Sequence, residues 1–334
     1  MISAQRFFKL LDVPKENYDQ EPHKDASWPK HGTIEIQNIE ARYREKTELV
    51  LKKLNLKIEG GSKIGVVGRT GAGKSTLSLV LLRILELESG KIKVDDVDIS
   101  KISLRQLRDK ITIIPQEPTL FKGTLRYNLD PLDQSTDEEV LEVLNKSGLV
   151  EIINKKKKEE KEKKEKEAKE KKEKGEEPEE KTDEQKKEDE SLLSFHIDEK
   201  GGNLSSGEKA IICICRAIMK KSKIVILDEA TANIDLVTEN QIQKMIKECF
   251  QDCTMITIAH RLQTIVQSDK VLVMGNGKVK EFDHPQALMA NPSSHFAKLI
   301  EEVTMEEERM KQEREEKEKK EAEEKKKKDE KQEA

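Results

Sequence analysis

The chain has 334 residues, 39% of them charged and 3% aromatic, and its formal net charge is −4. Because positive and negative charges are nearly equal in number, the sequence argues against nucleic acid as a partner. Charged residues are concentrated in 155–190 and from about residue 306 onward, and the remaining stretch of roughly 270 residues is long enough for a well-buried core.

The four cysteines form no CxxC pair and no second ligand cluster lies near them, which argues against a zinc site. Cys213 and Cys215 stand in an apolar run, so we expect them in the core of a protein from a reducing compartment. The chain has no apolar run of 18 residues, and we therefore expect it not to cross a membrane itself.

The first half of the chain predicts an entry segment followed by strands. Residues 1–30 are broken by prolines and are expected to join this domain to another. From Thr33 onward apolar and polar residues alternate, as they do again over 54–58, which predicts half-exposed antiparallel strands. Lys63–Val67 is a short apolar strand, and a helix is expected from Lys74 to about Leu87.

The turn between that strand and that helix fits the motif G-x(4)-G-K-[ST], the phosphate loop or Walker A motif. Its glycines allow the backbone to curl so that several N–H groups point at one phosphate, and the helix N-terminus adds a positive dipole end. Lys74 is expected to bridge the β- and γ-phosphates of ATP, and Ser75 to bind Mg²⁺. The predicted ATP-binding residues of the loop are Gly68, Arg69, Thr70, Gly71, Ala72, Gly73, Lys74, Ser75 and Thr76.

The middle of the chain predicts a strand at Ile111–Ile114 and a helix that starts with a Thr136/Glu139 capping box and ends at Gly148. The charge run over 155–190 has some helix-stabilising i,i+4 pairs but is interrupted by glycine and proline. We expect it to be a disordered insertion.

Strands and helices alternate again after the insertion. Helices are expected from Gly207 to about Met219 and over Val237–Phe250, and apolar strands over Lys223–Leu227 and Thr254–Ala259. This order predicts an α/β fold with a mostly parallel sheet and an added antiparallel layer.

A carboxylate pair follows the strand at 223–227. A side chain at the carboxyl end of such a strand faces the phosphate loop across the top of the sheet. We expect Asp228 to hold Mg²⁺ and Glu229 to orient and polarise the attacking water.

Several further segments resemble the motifs of ABC transporter ATP-binding domains, in that family's order. Leu204–Glu208 resembles the LSGGQ signature, and the segment ending at Asp235 resembles the D-loop. Ile114–Glu117 resembles the Q-loop, and Ile258–Arg261 the switch-histidine segment. Residues 111–131 resemble the second nucleotide-binding domain of the multidrug-resistance-associated, or subfamily C, transporters.

This resemblance implies a P-loop NTPase of ABC type, with a mostly parallel core sheet, an antiparallel β subdomain and a helical subdomain. It implies that Tyr43 stacks on adenine, the alternative being a buried strand tyrosine. It implies that Gln116 contacts Mg²⁺ and the attacking water and senses the transmembrane domains, and that His260 hydrogen-bonds the γ-phosphate. With these roles, the expected catalytic residues are Glu229, His260, Gln116 and Lys74, and the expected metal ligands are Ser75, Gln116 and Asp228.

The resemblance also implies that the signature closes over ATP held by a partner nucleotide-binding domain, with Asp235 at the same interface. The expected signature residues are Leu204, Ser205, Ser206, Gly207 and Glu208. Glu208 departs from the family's usual glutamine, which adds a negative charge to a loop that faces phosphate. We expect this effect to be small.

The implied function is the ATP-hydrolysing motor of a membrane exporter at the cytosolic face of a membrane, with ATP and Mg²⁺ as ligands. Its implied partners are a second nucleotide-binding domain, expected to be the first such domain of the same transporter, and transmembrane domains. The alternatives are a regulatory domain that gates a channel and a soluble, non-transport ABC ATPase. The expected organisation is an entry segment over 1–30, the ATP-binding domain over 31–300 and a charged tail over 301–334. Since no apolar run is long enough to cross a membrane, three interpretations of the chain stay open as expectations: a crop from a longer transporter, a truncated gene product or a separately encoded subunit.

Overall fold

The computed structural model describes Phe8, Glu16, residues 20–173, 191–228, 234–258 and 265–305, and Arg309; the side chains of residues 160, 163–173, 236 and 237 fall outside this description. Glu229 and His260 therefore lie outside the described residues. The described part contains two larger sheets, a pair of short strands and a set of helices. Within it, no helix combines the length and the apolar character needed to span a bilayer.

The predicted antiparallel layer is confirmed. Strands β1 (Ile34–Ala41) and β2 (Leu51–Ile58) pair antiparallel, and β4 (Ser89–Val94) and β5 (Val97–Asp98) complete a sheet in the order β2-β1-β4-β5. The alternate residues of β1 are buried, as its sequence pattern requires for a sheet with one covered face.

The second sheet carries the parallel core. It is formed by β3 (Lys63–Val67), β6 (Ile111–Ile114), β9 (Ile224–Asp228), β10 (Thr254–Ile258), β11 (Lys270–Gly275) and β12 (Lys278–Asp283). Their order is β12-β11-β3-β10-β9-β6, with parallel pairing throughout except between β11 and β12. The chain therefore crosses over between β3 and β6, and strands distant in sequence become neighbours.

The helices cover this sheet or form a separate helical layer. They are α1 (Lys74–Leu81), α2 (Leu104–Lys110), α3 (Leu125–Leu129), α4 (Asp137–Ser147), α5 (Leu149–Glu173), α6 (Ser206–Met219), α7 (Leu236–Cys249) and α8 (Pro285–Ala290), with further helical residues at 295–305. The short β7 (Gly123–Thr124) and β8 (His196–Ile197) pair within the helical layer.

Two large apolar clusters meet on opposite faces of β9. Ile224 and Ile226 belong to the cluster that contains the antiparallel sheet and α1, whereas Val225 and Leu227 belong to the cluster that contains α4 and α6. The continuous apolar run of this strand thus reflects burial on both faces. Cys213 and Cys215 are buried in the second cluster, as predicted, and burial raises the pKa of Cys215 to about 12.

Two predictions differ from the structure by more than about three residues, whereas the bounds of the other predicted strands and helices are shifted by no more than that. The helix after the phosphate loop ends at Leu81, not near Leu87, because Arg83 takes a left-handed backbone conformation and its buried guanidinium binds the carbonyls of Ile99 and Ile102. The charge run was expected to be disordered from residue 155, but α5 continues to Glu173. Its first turns are anchored by the fully buried Leu149 and Ile153, and the Glu/Lys spacing supports its continuation.

Candidate nucleotide site

The phosphate loop leads from β3 into α1 through a glycine turn. Gly71 and Gly73 have positive φ angles of 80° and 101°, which side chains rarely adopt. Gly73 is the N-cap of α1, and no side chain caps this helix. The N-terminus of α1 is therefore open to an anion, which both its N–H groups and its dipole favour.

Lys74 lies against this loop with only 8% of its surface exposed. Its ammonium group donates hydrogen bonds to the carbonyls of Gly68, at 2.7 Å, and Arg69, at 3.5 Å. The lysine is thus already held over the loop, where a phosphate oxygen would accept its hydrogen bonds in place of these neutral carbonyls.

Tyr43 lies in the loop that follows β1, with 54% of its surface exposed. Its hydroxyl lies 2.9 Å from the hydroxyl of Thr76, in the first turn of α1. The alternative of a buried strand tyrosine is wrong, because the residue lies outside the strand and its ring is largely open. An exposed aromatic ring held beside a phosphate-binding helix can stack on a flat base.

Sheet order brings the remaining motifs to the same edge. Asp228 ends β9 and lies level with Ile258 of β10, which in turn lies level with Val66 of β3. At a strand spacing near 4.8 Å, Asp228 is about 10 Å across the sheet from the strand that feeds the phosphate loop. Glu229 follows Asp228 in sequence and His260 follows β10 by two residues, and both lie outside the described part of the chain.

Gln116 follows β6, the next strand after β9 in the sheet. Ile114 lies level with Leu227, so Gln116 leaves the sheet at the edge where Asp228 stands, and it is exposed there. The strands that carry the four motifs are consecutive in the sheet, although their sequence positions range from 63 to 258.

Magnesium fits the oxygen atoms at this edge. The Ser75 side chain is exposed in the first turn of α1, and Asp228 supplies a carboxylate at the end of β9. Mg²⁺ favours one or two such protein oxygens together with phosphate oxygens and water.

The C-terminal segment closes one side of the loop. A cavity of about 450 Å³ is lined by Gly68–Ala72 of the loop and by Lys280, His295, Lys298 and Glu302 among others. Arg69 forms an ion pair with Glu302 at 2.8 Å, but both side chains are largely exposed. Such a pair adds little stability.

The signature segment lies at the start of α6, in the second apolar cluster. Leu204 is buried, whereas Ser205 and Ser206 are exposed at the helix N-terminus. Ser205 and Glu208 form a capping box: the Ser205 hydroxyl accepts from the Glu208 N–H at 3.2 Å, and the Glu208 carboxylate accepts from the Ser205 N–H at 2.7 Å. The glutamate at this position therefore turns back onto its own helix.

The packing of α6, as well as the predicted function, favours glycine at position 207. A Cβ atom there would lie 2.6 Å from the methyl group of Thr238 on α7. Asp235, the predicted D-loop residue, is the N-cap of α7 and accepts from the Thr238 N–H at 3.0 Å. The signature and the D-loop are thus packed against each other within one chain.

Arg216 links the signature helix to the segment after Gln116. Its guanidinium donates to the Thr119 carbonyl at 2.7 Å, to the side chain of Asn128 at 2.8 Å and to the carbonyl of Asn128. Asn128 is fully buried and binds both backbone groups of Phe121. Burial lowers the pKa of Arg216. Arg216 therefore joins α6 by direct hydrogen bonds to the segment that follows the predicted Q-loop.

Sequence reasoning missed Lys156, whose ammonium group lies 3.2 Å from Glu208. The residue stands at the start of the charge run, and nothing in its spacing distinguishes it from its solvated neighbours. Only the packing of α5 beside the signature reveals it.

Comparison with known proteins gives the same family as the sequence motifs. Residues 51–232 match the model of the family described as ABC transporter. The chain is 42% identical over 304 residues to the ABC transporter C family member 13 of Oryza sativa subsp. japonica, and 40% identical over 304 residues to the ATP-dependent bile acid permease of Saccharomyces cerevisiae. Each alignment covers 90% of this chain but 18% of the relative.

A similar fold occurs in the structure of a bacterial Atm1-family ABC exporter with ATP bound, with a TM-score of 0.72 and 24% identity. That match covers 90% of this chain and 47% of the other. The chain thus spans about a fifth of the curated relatives' length and about half of the structural neighbour.

Proposed function

Because this chain belongs to the ABC transporter family and carries its ATPase domain, we propose that it hydrolyses ATP at a composite site and thereby drives export through transmembrane domains. The observation that carries this proposal is the sheet order β3-β10-β9-β6. It places the phosphate loop, Asp228 and Gln116 at one edge, beside the open N-terminus of α1. Glu229 and His260 follow strands that end at this edge.

In the proposed mechanism, Lys74 and the loop N–H groups bind the phosphates, and Tyr43 stacks on the adenine. Mg²⁺, held by Ser75 and Asp228, would neutralise charge on the phosphate oxygens. Glu229 orients the attacking water, and His260 donates a hydrogen bond to the γ-phosphate. Gln116 contacts the metal site and the water.

The signature supports a site shared between two domains. Ser205 and Ser206 are exposed on a helix of the second apolar cluster, whereas the phosphate loop leads into α1 of the first. In the proposed cycle this N-terminus of α6 meets ATP bound by a second nucleotide-binding domain, which we infer to be the first such domain of the same transporter. Hydrolysis then separates the two domains.

A groove beside Gln116 supports contact with transmembrane domains. It has a volume of about 340 Å³ and is lined by Ile84, Ile113, Pro115, Arg216 and Lys220 among others. Ile84 is 56% exposed at its rim, and Gln116 follows Pro115 directly. A membrane-domain segment seated here would press on both the Q-loop and α6. We accordingly propose that the chain works at the cytosolic face of a membrane.

The composite site can be tested by complementation in trans. Lys74→Ala removes the phosphate ligand, and Ser206→Arg blocks the signature, so each variant alone should lose phosphate release. A mixture of the two should regain part of the wild-type rate, because one interface then combines an intact loop with an intact signature.

Concentration provides the control. In this assay a second copy of the chain takes the place of the partner domain, so the specific rate of the wild-type chain should rise with protein concentration as two copies associate. Full activity of Ser206→Arg alone, or a mixture as inactive as its components beside an active wild type, would contradict the shared site. Failure of the wild type to bind a fluorescent ATP analogue would contradict the proposed function altogether.

A further inference from the structure

The glutamate of the signature does not stand alone. The Lys156 ammonium group lies 3.2 Å from Oε2 of Glu208 and donates to the carbonyl of Asn203 at 3.0 Å. The same Oε2 atom accepts the N–H of Ser205. One lysine thus contacts the residues that flank the segment 204–207 on both sides.

The position of Lys156 is fixed by packing. It follows Ile153 by one helical turn of α5, and Ile153 and Leu149 are fully buried in the cluster that contains α6. Lys156 and Glu208 are 26% and 15% exposed, so their interaction is less screened by water than that of a surface pair. On the other side, Asn203 is held by the backbone of His196 and Asp198.

The charge of Glu208 matters because of where its helix points. The N-terminus of α6 attracts an anion, but a carboxylate beside it repels phosphate. A cation on that carboxylate removes much of the repulsion.

We propose that Lys156 is a positioning residue for the signature: it fixes the segment 204–207 at both ends and offsets the charge of Glu208 where ATP from a partner domain would bind. This inference rests on the proposed function for its catalytic consequence, but not for its structural part. It also means that the first turns of the charged insertion belong to the ATPase machinery.

Hydrogen exchange of the full chain without nucleotide tests the structural part. Lys156→Met should speed exchange of the Ser205 amide and its neighbours by about fivefold, as expected for loss of a charge-assisted contact. Lys156→Arg should remain close to wild type. Lys157→Met is the matched control, because the adjacent lysine instead contacts the carbonyl of Ser191.

Turnover and nucleotide binding test the catalytic part. Lys156→Met should lower phosphate release about fivefold. The affinity of the chain for a fluorescent ATP analogue should stay unchanged, because the phosphate loop leads into α1, which packs in a different apolar cluster from α5 and α6. Adding Glu208→Gln should restore most of the rate, because the neutral side chain needs no counter-charge.

Unchanged exchange in Lys156→Met, or an equal effect of Lys157→Met, would overturn the positioning role. If the exchange rate changes but Glu208→Gln does not rescue turnover, the charge compensation is wrong. A wild-type chain that binds no ATP contradicts the proposed function, and the exchange result still decides the role of Lys156.

Discussion

The close packing of Gly207 against Thr238 leads to a prediction about stability. The effect of Gly207→Ala on the free energy of unfolding should depend on whether residue 238 is threonine or serine. Alanine at position 207 would place its Cβ 2.6 Å from the Thr238 methyl group, where the two helices α6 and α7 meet. Overpacking of this kind costs about 1–3 kcal/mol, whereas replacing glycine by alanine within a helix contributes at most ~1 kcal/mol of stabilisation. The overlap dominates, and Gly207→Ala should lower the free energy of unfolding by roughly 1–2 kcal/mol.

Removal of the opposing methyl group should reverse this result. In a Thr238→Ser background the next nearest atoms are 3.4 Å away, so Gly207→Ala should be neutral or slightly stabilising. Urea titration of the four chains of this cycle gives the coupling directly. Gly202→Ala is the control, because the φ of Gly202 is −59° and the nearest neighbouring atom, the carbonyl oxygen of Glu199, would lie 3.6 Å from the added Cβ.

A destabilisation that is the same with threonine and with serine at position 238 would refute the steric argument. It would place the effect of alanine in the signature backbone itself, not in the packing of α6 against α7.

Three further predictions concern the phosphate loop and the core. Tyr43→Phe should leave ATP affinity nearly unchanged, because it loses only the Thr76 contact, whereas Tyr43→Ala should weaken it about twofold to tenfold in a fluorescence titration. Gly68→Ala should abolish ATP binding, since the added Cβ would lie 2.4 Å from the Met274 carbonyl oxygen. Gly61→Ala is the control, because Gly61 also has a positive φ but no atom lies within 4 Å of its added Cβ. Normal ATP binding by Gly68→Ala would contradict the clash. Burial raises the pKa of Cys215 from 9.0 to about 12, so the native state keeps a proton that the unfolded state loses, and stability should fall as pH rises above about 9. Cys215→Ala should make that fall shallower in thermal melts taken across this range, and an unchanged slope would show that the thiol contributes nothing.

The sequence alone predicted the local elements well where one local signal was sufficient. The Thr136/Glu139 capping box and the left-handed Gly148 bound α4 as expected, and the strand at Lys63–Val67 has the predicted bounds. It failed where distant residues decide: the end of α1 depends on carbonyls near residue 100 that bind Arg83.

The candidate site shows the same division. The phosphate-loop motif predicts its own conformation, because the glycines and the helix start that it needs are adjacent in the chain. The exposure of Tyr43 and its approach to Thr76 could not be read from spacing, since a strand tyrosine and a base-stacking tyrosine have the same local pattern. The roles assigned to Glu229 and His260 stay predictions.

The sequence by itself determined which chemical groups the chain carries and in what order, because the motifs are short and each forms within a few residues. Tertiary structure alone decided which of them meet. The crossovers between parallel strands make β3, β10, β9 and β6 neighbours, and the packing of α5 beside α6 gives Glu208 its cation. These contacts join residues tens to nearly two hundred positions apart, so they depend on burial of two apolar clusters and not on any local pattern.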